Sequence, residues 1–186
     1  MTVEQTLRDA EQRMRAAVSV TQEELSSIRT GRANPKLVER LTVEYYGSQV
    51  PLNQLASFSV PESRLLVIQP FDRTAMAAIE RAIVASDLGL NPSNDGNVIR
   101  LAFPPLTEER RKDLIRVVRE RSEDARVAVR NVRRHHKDEL ERLEREHTIS
   151  EDELRRAEKE LQKLTDQHVA EIDQIVAHKE TELMEV

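Results

Sequence analysis

The stretch TEERRKDLIRVVRERSEDARVAVRNVRRHHK, residues 107–137, contains no glycine, proline, phenylalanine or tyrosine. It begins with two acids, Glu108 and Glu109, which a helix favours in its first turn because the helix dipole attracts negative charge there. Apolar residues recur through it at helical spacing, and they include Leu114, Val118, Ala125, Val129, Val132 and, beyond it, Leu143. The pattern predicts one helix over about 107–146, roughly 60 Å long at 1.5 Å per residue.

The rest of the chain divides according to where helix breakers occur. All four glycines, all seven prolines and all five aromatic residues lie within 31–105, so residues 1–30 and 106–186 contain none. Glycine and proline interrupt helices, and both outer segments carry the helical apolar period. Ser150 followed by Glu153 forms a capping box. We therefore predict further helices over about 2–30 and 150–184, and a long three-helix bundle in which each helix buries its apolar stripe.

The segment 31–105 has a different pattern. Its apolar residues alternate with polar ones in short runs, and a helical period covers about 73–86. We predict a small β-rich α+β domain over 31–105, inserted between the first and second helices of a bundle formed by 1–30 and 106–186. The fold class is thus α+β, mainly α. The chain crosses between the domains near 29–35 and 102–105, and a narrow connection of this kind predicts a hinge.

Charge is distributed unevenly along the chain. The net charge of the chain is −5. The segment from Arg110 to Lys137, however, contains eleven Lys and Arg residues and only four acids, which gives it a local net charge of +7. At 100° per residue, eight of these cations fall within a sector of roughly 100°. We call them the cationic ridge: Lys112, Arg116, Arg119, Arg126, Arg130, Arg133, Arg134 and Lys137. The ridge would run about 37 Å along the helix. Few acids share its sector, Glu123 being the main exception, so internal pairing is not expected to neutralise it.

A ridge of this length fits a nucleic-acid backbone. Arginine grips phosphate with a planar fork, and such binding is salt-dependent and largely independent of sequence. The alternative is a solvated, salt-bridged helix face, and the residues alone leave the two readings about evenly balanced. The helices lack the aromatic side chains on which single-stranded bases stack. If RNA binds, contacts to its backbone and shape are therefore expected.

Signals of catalysis, cofactor binding and membrane insertion are absent. No phosphate-binding glycine loop, Gly-Gly-Gln tripeptide or nucleophile–base arrangement occurs, so we predict no enzyme, no cofactor and no metal site. The adjacent pair His135–His136 has poor geometry for a metal, and His168 lies on an apolar stripe, as a packed core histidine would. Without cysteine or an 18-residue apolar run, a cytoplasmic protein that contacts no membrane is expected.

A series of motifs, in order along nearly the whole chain, resembles the ribosome recycling factor family. Each is weak alone, but their order and spacing are specific. They are Ile28–Ala33, Tyr45–Gly47, Val50–Leu52, Gln69–Asp72, Ser86–Pro92, Pro104–Lys112, Val129–Arg134, Ile149–Glu153 and Gln162–Asp166.

The resemblance implies an L-shaped, monomeric translation factor. In that family the bundle binds rRNA of the large ribosomal subunit, and the factor splits the post-termination ribosome together with elongation factor G and GTP. The resemblance makes Arg133 the foremost expected rRNA contact, followed by Arg130, Arg29 and Arg32. The ridge adds Arg134, Arg126, Arg119, Arg116 and Lys112 to these sites. The resemblance also places the hinge at Thr30, Gly31, Pro104 and Pro105.

The segment His135-His136-Lys137 departs from the pattern of many members of that family, which have Asp-Ala-Asn there. We expect it to add positive charge to the cationic ridge, and more at low pH as histidines protonate.

Two other classes compete with this interpretation. A nucleotide-exchange or holdase co-chaperone also combines long helices with a β-rich domain, but it would need a helix that self-associates. A nucleic-acid hydrolase would need a carboxylate cluster or metal ligands, which the sequence does not show.

Overall fold

A computed structural model of the chain describes residues 2–185, which form two compact units. One unit contains the described residues up to Ile28 together with those from Glu108 onward. The other contains Arg29–Thr107 and is called here the inserted unit. The four α-helices are α1 (Val3–Ser26), α2 (Met76–Ala85), α3 (Glu108–Arg145) and α4 (Glu151–Met184). The first unit is built from α1, α3 and α4, and α2 belongs to the inserted unit.

Local sequence signals set the ends of the bundle helices. Thr2 and Gln5 form a capping box at the start of α1, and Ser150 and Glu153 form the predicted one at the start of α4. Helix α1 ends at Ser26, four residues before the predicted end. The hydroxyl groups of Ser26 and Ser27 donate to the carbonyl oxygens of Gln22 and Glu24 in its last turns. Serine competes for backbone hydrogen bonds in this way, which favours helix termination.

Each bundle helix buries one stripe against the other two. The fully buried side chains include Met14 and Leu25 from α1, Leu140 from α3, and Leu161 and Ile172 from α4. Their spacing by multiples of three and four residues is what keeps them on one helix face. The predicted three-helix bundle is confirmed. Burial of these side chains stabilises the packing that positions α3, with a loss of about 2–5 kcal/mol expected for a Leu→Ala change at such a position.

The inserted unit contains two antiparallel sheets, and the predicted β-rich element after helix 1 is confirmed. The strands are β1 (Thr42–Tyr45), β2 (Ser48–Pro51), β3 (Ala56–Glu62), β4 (Leu65–Pro70), β5 (Pro92–Asn94) and β6 (Ile99–Ala102). Strands β1 and β2 form a hairpin, and the other four form a sheet in the order β3-β4-β6-β5. The inserted unit has its own core, in which Ile79 and Ile83 of α2 join Leu66, Ile68 and Ile99.

Candidate nucleic-acid interface

Helix α3 carries all eight residues of the cationic ridge. The side chains that surround the ridge differ between its two ends. Helix α4 packs along α3 in the opposite direction, so side chains of α4 lie beside those of the ridge. We distinguish the N-terminal part of the ridge, Lys112–Arg130, from its C-terminal part, Arg133–Lys137. The two parts have different hydrogen-bond partners.

Arg126 forms the most enclosed ion pair of the N-terminal part, with Asp173. Its Nη2 and Nε atoms lie 2.6 and 2.9 Å from Oδ1 of Asp173 on α4. Its Nη1 atom also donates to Glu123 at 3.2 Å. The side chain is only 23% exposed. Hydrogen bonding to Asp173 raises the pKa of the Arg126 guanidinium above its usual value, and Glu123 adds to the effect.

Three other cations of the N-terminal part are also paired. Arg119 Nε donates to Glu180 Oε1 at 2.8 Å, Arg130 Nη1 lies 3.2 Å from Glu123 Oε1, and Lys112 Nζ lies 2.8 Å from Glu108 Oε1. Arg116 is the exception, because it is exposed and makes no ion pair within residues 2–185. The N-terminal part is therefore largely neutralised by neighbouring acids.

The prediction that internal ion pairs would not neutralise the ridge is wrong for its N-terminal part. It followed from counting acids on α3 alone, where few acids share the sector and Glu123 is the main exception. The acids Asp173 and Glu180 belong to α4 and reach the ridge because the two helices pack side by side. They lie 47 and 61 residues away in sequence from the arginines they bind.

The C-terminal part keeps more of its charge. Arg133 Nη1 donates to the amide oxygen of Gln162 on α4 at 3.2 Å, which leaves its positive charge uncompensated. Arg134 is exposed, and it has no ion-pair partner in the described part of the chain. Lys137 lies 3.5 Å from Glu141 and 3.6 Å from Glu158, so its pairing is loose. Arg133 and Arg134 are thus the cations here that are free to bind an anion, which is the state the sequence predicted for the whole ridge.

The adjacent histidines point to opposite environments. His136 is fully buried, with Nε2 2.8 Å from Asp9 Oδ2 on α1 and Nδ1 2.7 Å from the Val132 carbonyl oxygen. The expectation that His136 adds charge to the ridge is therefore wrong, because its ring faces α1. His135 is 58% exposed and lies 3.4 Å from Glu139. His168 is buried as predicted, and its Nδ1 atom lies 2.7 Å from the Leu164 carbonyl oxygen.

The His136–Asp9 contact is electrostatic as well as steric. Both ring nitrogens of His136 lie within hydrogen-bond distance of oxygen atoms, those of the Val132 carbonyl and the Asp9 carboxylate. The Asp9 carboxylate also accepts from Arg13 Nε at 2.9 Å. The hydrogen bond from His136 is the main cause that holds the pKa of Asp9 below its usual value, with Arg13 contributing. This group of three side chains fastens α3 to α1 beside the free arginines.

Two predicted rRNA contacts, Arg29 and Arg32, belong to the inserted unit and not to the ridge. The guanidinium of Arg29 donates to the carbonyl oxygens of Leu88 at 2.8 Å and Asp87 at 3.1 Å. It therefore ties the first crossing segment to the loop that follows α2. Arg29 is exposed and Arg32 half-buried.

The two segments predicted as a hinge meet at Gly31. Its φ of +76° is in the left-handed region that side chains disfavour. A Cβ atom there would lie 3.4 Å from Leu106 and 3.6 Å from the carbonyl oxygen of Pro104. The first crossing segment, which includes Thr30, thus packs closely on the segment that includes Pro104 and Pro105. The positive φ, and not the space around it, is what favours glycine at position 31.

Sequence reasoning missed the α4 side chains that decide which arginines are free. Gln162 appeared only as part of a family motif, and Asp173 and Glu180 were not singled out. A usable signal exists, because Arg119, Arg126 and Arg133 recur every seven residues, as do Glu180, Asp173 and Asp166. Heptad spacing on two packed helices places such residues opposite one another.

Residues 2–185 contain no group of three or more His, Cys, Asp or Glu side chains that could hold a metal ion. No helix in the same range has the length and apolarity needed to cross a membrane.

Fold and surface together define a two-unit protein in which a helical bundle presents arginines to solvent, a type of surface that binds polyanions. Comparison with known proteins gives the particular family: the chain belongs to the ribosome recycling factors. The family model "Ribosome recycling factor" matches residues 21–184. The ribosome-recycling factor of Acidothermus cellulolyticus is 55% identical over 99% of this chain and 100% of its own length. That of Shouchella clausii is 59% identical over 96% of each chain.

Solved structures agree with this assignment. A solution structure of a ribosome recycling factor matches 100% of this chain and 99% of its own, with a TM-score of 0.81 and 49% identity. A second structure, with a TM-score of 0.70 and 49% identity, concerns the T. thermophilus ribosome recycling factor and E. coli elongation factor G bound to the E. coli post-termination complex. At these identities the likeness extends beyond the fold to the family.

Proposed function

We propose that this chain recycles ribosomes after termination. It would split the post-termination complex into subunits together with elongation factor G and GTP, acting in the cytoplasm as a monomer. Membership of the ribosome recycling factor family supports this, as does the T. thermophilus relative bound with elongation factor G to a post-termination complex. The GTP chemistry belongs to the partner, so this chain would be neither an enzyme nor a cofactor-binding protein.

The observation that carries the RNA-binding part of the proposal is the state of Arg133 and Arg134. Arg134 is exposed and Arg133 is half-buried, and neither is neutralised by an acid within residues 2–185. A guanidinium offers five N–H donors, and Arg133 uses one of them on Gln162. The remaining donors fit the oxygens of a phosphate, so we propose that these two arginines bind the backbone of large-subunit rRNA.

The other predicted contacts take secondary places in the proposal. Arg130 is 51% exposed and shares Glu123 with Arg126, so RNA could displace its single bond at little cost. Arg119, Arg126 and Lys112 are occupied by acids and would serve mainly the bundle. Arg116 is free to join the RNA contact. Arg29 and Arg32 would contribute from the inserted unit, where Arg29 keeps three N–H donors beyond those on residues 87 and 88.

The domain organisation enters the proposal as a means of motion. We propose that the inserted domain, 31–105, swings against the bundle of 1–30 and 106–186. Thr30, Gly31, Pro104 and Pro105 would form the hinge. Two backbone segments give a connection that can absorb a change of dihedral angles, as hinges do.

The test is a light-scattering assay of post-termination ribosomes. Scattering should fall, as subunits separate, only when this chain, elongation factor G and GTP are all present. The fall should be lost when Arg133 is replaced by alanine. If scattering stays constant with all three components, while the chain still binds large subunits in a salt-dependent way, the recycling proposal is wrong. A constitutive dimer in multi-angle scattering would count against the monomer and favour the co-chaperone class.

A further inference from the structure

Three arginines of α3 and three acids of α4 form matched heptad series. Arg119, Arg126 and Arg133 run one way, and Glu180, Asp173 and Asp166 run the other, each at seven-residue intervals. In the first two steps the arginine bonds directly to the acid, Arg119 to Glu180 and Arg126 to Asp173. The antiparallel register of those two pairs places Asp166 opposite Arg133.

At the third step the direct pair is not formed. Gln162 stands between the two groups: its amide oxygen accepts from Arg133 Nη1 at 3.2 Å, and its amide nitrogen donates to Asp166 Oδ1 at 2.8 Å. Within residues 2–185 the Arg133 guanidinium makes no ion pair. The amide therefore fixes the arginine through a neutral acceptor and occupies the carboxylate that would otherwise neutralise it.

We infer that Gln162 is a positioning residue that keeps Arg133 charged and oriented for RNA phosphate, by holding Asp166 away from it. This rests on the proposed rRNA contact of Arg133. An amide is suited to the task because one end accepts and the other donates. A carboxylate at position 162 would fix Arg133 equally well but would cancel its charge, and an apolar residue would leave Asp166 free to pair with it.

The test measures binding to purified large ribosomal subunits over a series of KCl concentrations. Gln162→Glu should weaken binding about tenfold, the loss of roughly one charged hydrogen bond. It should also reduce the slope of log K against log salt by about 0.7–0.9, equivalent to one phosphate contact. Gln167→Glu is the matched control, because it makes the same charge change on an exposed residue of α4 that bonds to Glu171 and not to the ridge. It should leave the slope unchanged.

A second pair of variants separates positioning from direct contact. Gln162→Ala should weaken binding because Asp166 can then pair with Arg133, and Asp166→Asn in the same chain should restore it. If Gln162→Ala weakens binding and the double variant does not restore it, Gln162 touches the RNA itself and the inference is wrong. Equal slopes for Gln162→Glu and Gln167→Glu would overturn it too.

Arg133→Ala, measured in the same series, distinguishes the two levels of the argument. If Arg133→Ala lowers both affinity and slope while the Gln162 variants do not, the rRNA contact holds and only the role of Gln162 fails. If Arg133→Ala changes neither quantity, the proposed contact fails, and the inference fails with it.

Discussion

The N-terminal and C-terminal parts of the cationic ridge differ in which polar side chains add to the apolar packing of α3 in the bundle. In the N-terminal part the arginines do it themselves, as Arg126 does with Asp173. In the C-terminal part a buried histidine does it, through the bond from His136 to Asp9 on α1. Arg133 meets the neutral amide of Gln162, and Arg134 is exposed, so both keep their positive charge. A single helix thus has one segment built mainly for packing and another available for binding.

The largest expected effect is on stability, and it comes from removing the His136 side chain that holds the C-terminal part of the ridge to α1. His136→Ala removes a fully buried ring and leaves a cavity between α3 and α1. The free energy of unfolding should fall by about 2–4 kcal/mol, as for other large-to-small changes in cores. Urea denaturation at neutral pH measures it. The control is the neighbouring exposed residue: His135→Ala should change stability by less than about 0.5 kcal/mol. Equal losses from both variants would show that burial of His136 is not what holds this segment.

The second effect concerns binding. Arg133→Ala should weaken large-subunit binding by about 1–3 kcal/mol, since a charged hydrogen bond to a partner is lost. The free energy of unfolding should barely change, because the bond to Gln162 is a single contact at the surface. Affinity from sedimentation or filter binding, paired with urea denaturation of the same variant, checks both halves. A comparable fall in stability would mean that Arg133 packs the bundle, as Arg126 does, and the contrast between the two parts would disappear.

The third prediction is the converse of the second, because Arg126 is expected to matter more for stability than for binding. Arg126→Ala should lower the free energy of unfolding by about 1 kcal/mol, because it removes a partly enclosed ion pair whose partner, Asp173, is 54% exposed. Its effect on large-subunit binding should be smaller than that of Arg133→Ala. A double-mutant cycle with Asp173→Ala isolates the pair. If Arg126→Ala reduces binding as strongly as Arg133→Ala does, pairing with α4 does not withhold an arginine from RNA.

Much of the fold could be predicted because its signals are local. The confinement of glycine and proline to 31–105 identified two outer segments free of helix breakers, and Ser150 with Glu153 identified the start of α4 within the second. Strands β2 and β5 carry little sequence signal, since each is short and lacks an apolar alternation. Burial of His136 was missed although it lies seven residues from both Val129 and Leu143, which are buried. His136 was assigned to the charged surface because histidine can carry charge, although its spacing from Val129 and Leu143 places it on the buried face.

The candidate site was harder to predict than the fold because charge compensation is a tertiary property. The projection of α3 placed the eight cations correctly on one helix but carried no information about α4. Whether an arginine is free depends on what faces it from the neighbouring helix, as the contrast between Asp173 beside Arg126 and Gln162 beside Arg133 shows. Reading the two heptad series together would have supplied the missing partners for Arg119 and Arg126.

The smallest expected effect is the pH dependence of the stability that Asp9 contributes. The pKa of Asp9 is lowered from 3.8 in the folded chain, chiefly by the hydrogen bond from His136 and also by Arg13. The ionised carboxylate therefore contributes stability that is fully present above 3.8 and is lost as the pH falls through the lower folded value. Asp9→Asn should unfold more easily than the parent at neutral pH, and the difference should shrink below 3.8. Thermal denaturation across that range, with Glu11→Gln as a control for a carboxylate that pairs only with Arg15 at the surface, measures the change. A difference that persists unchanged into acid would mean that Asp9 holds His136 by shape alone, and that the C-terminal part of α3 is not fastened by charge.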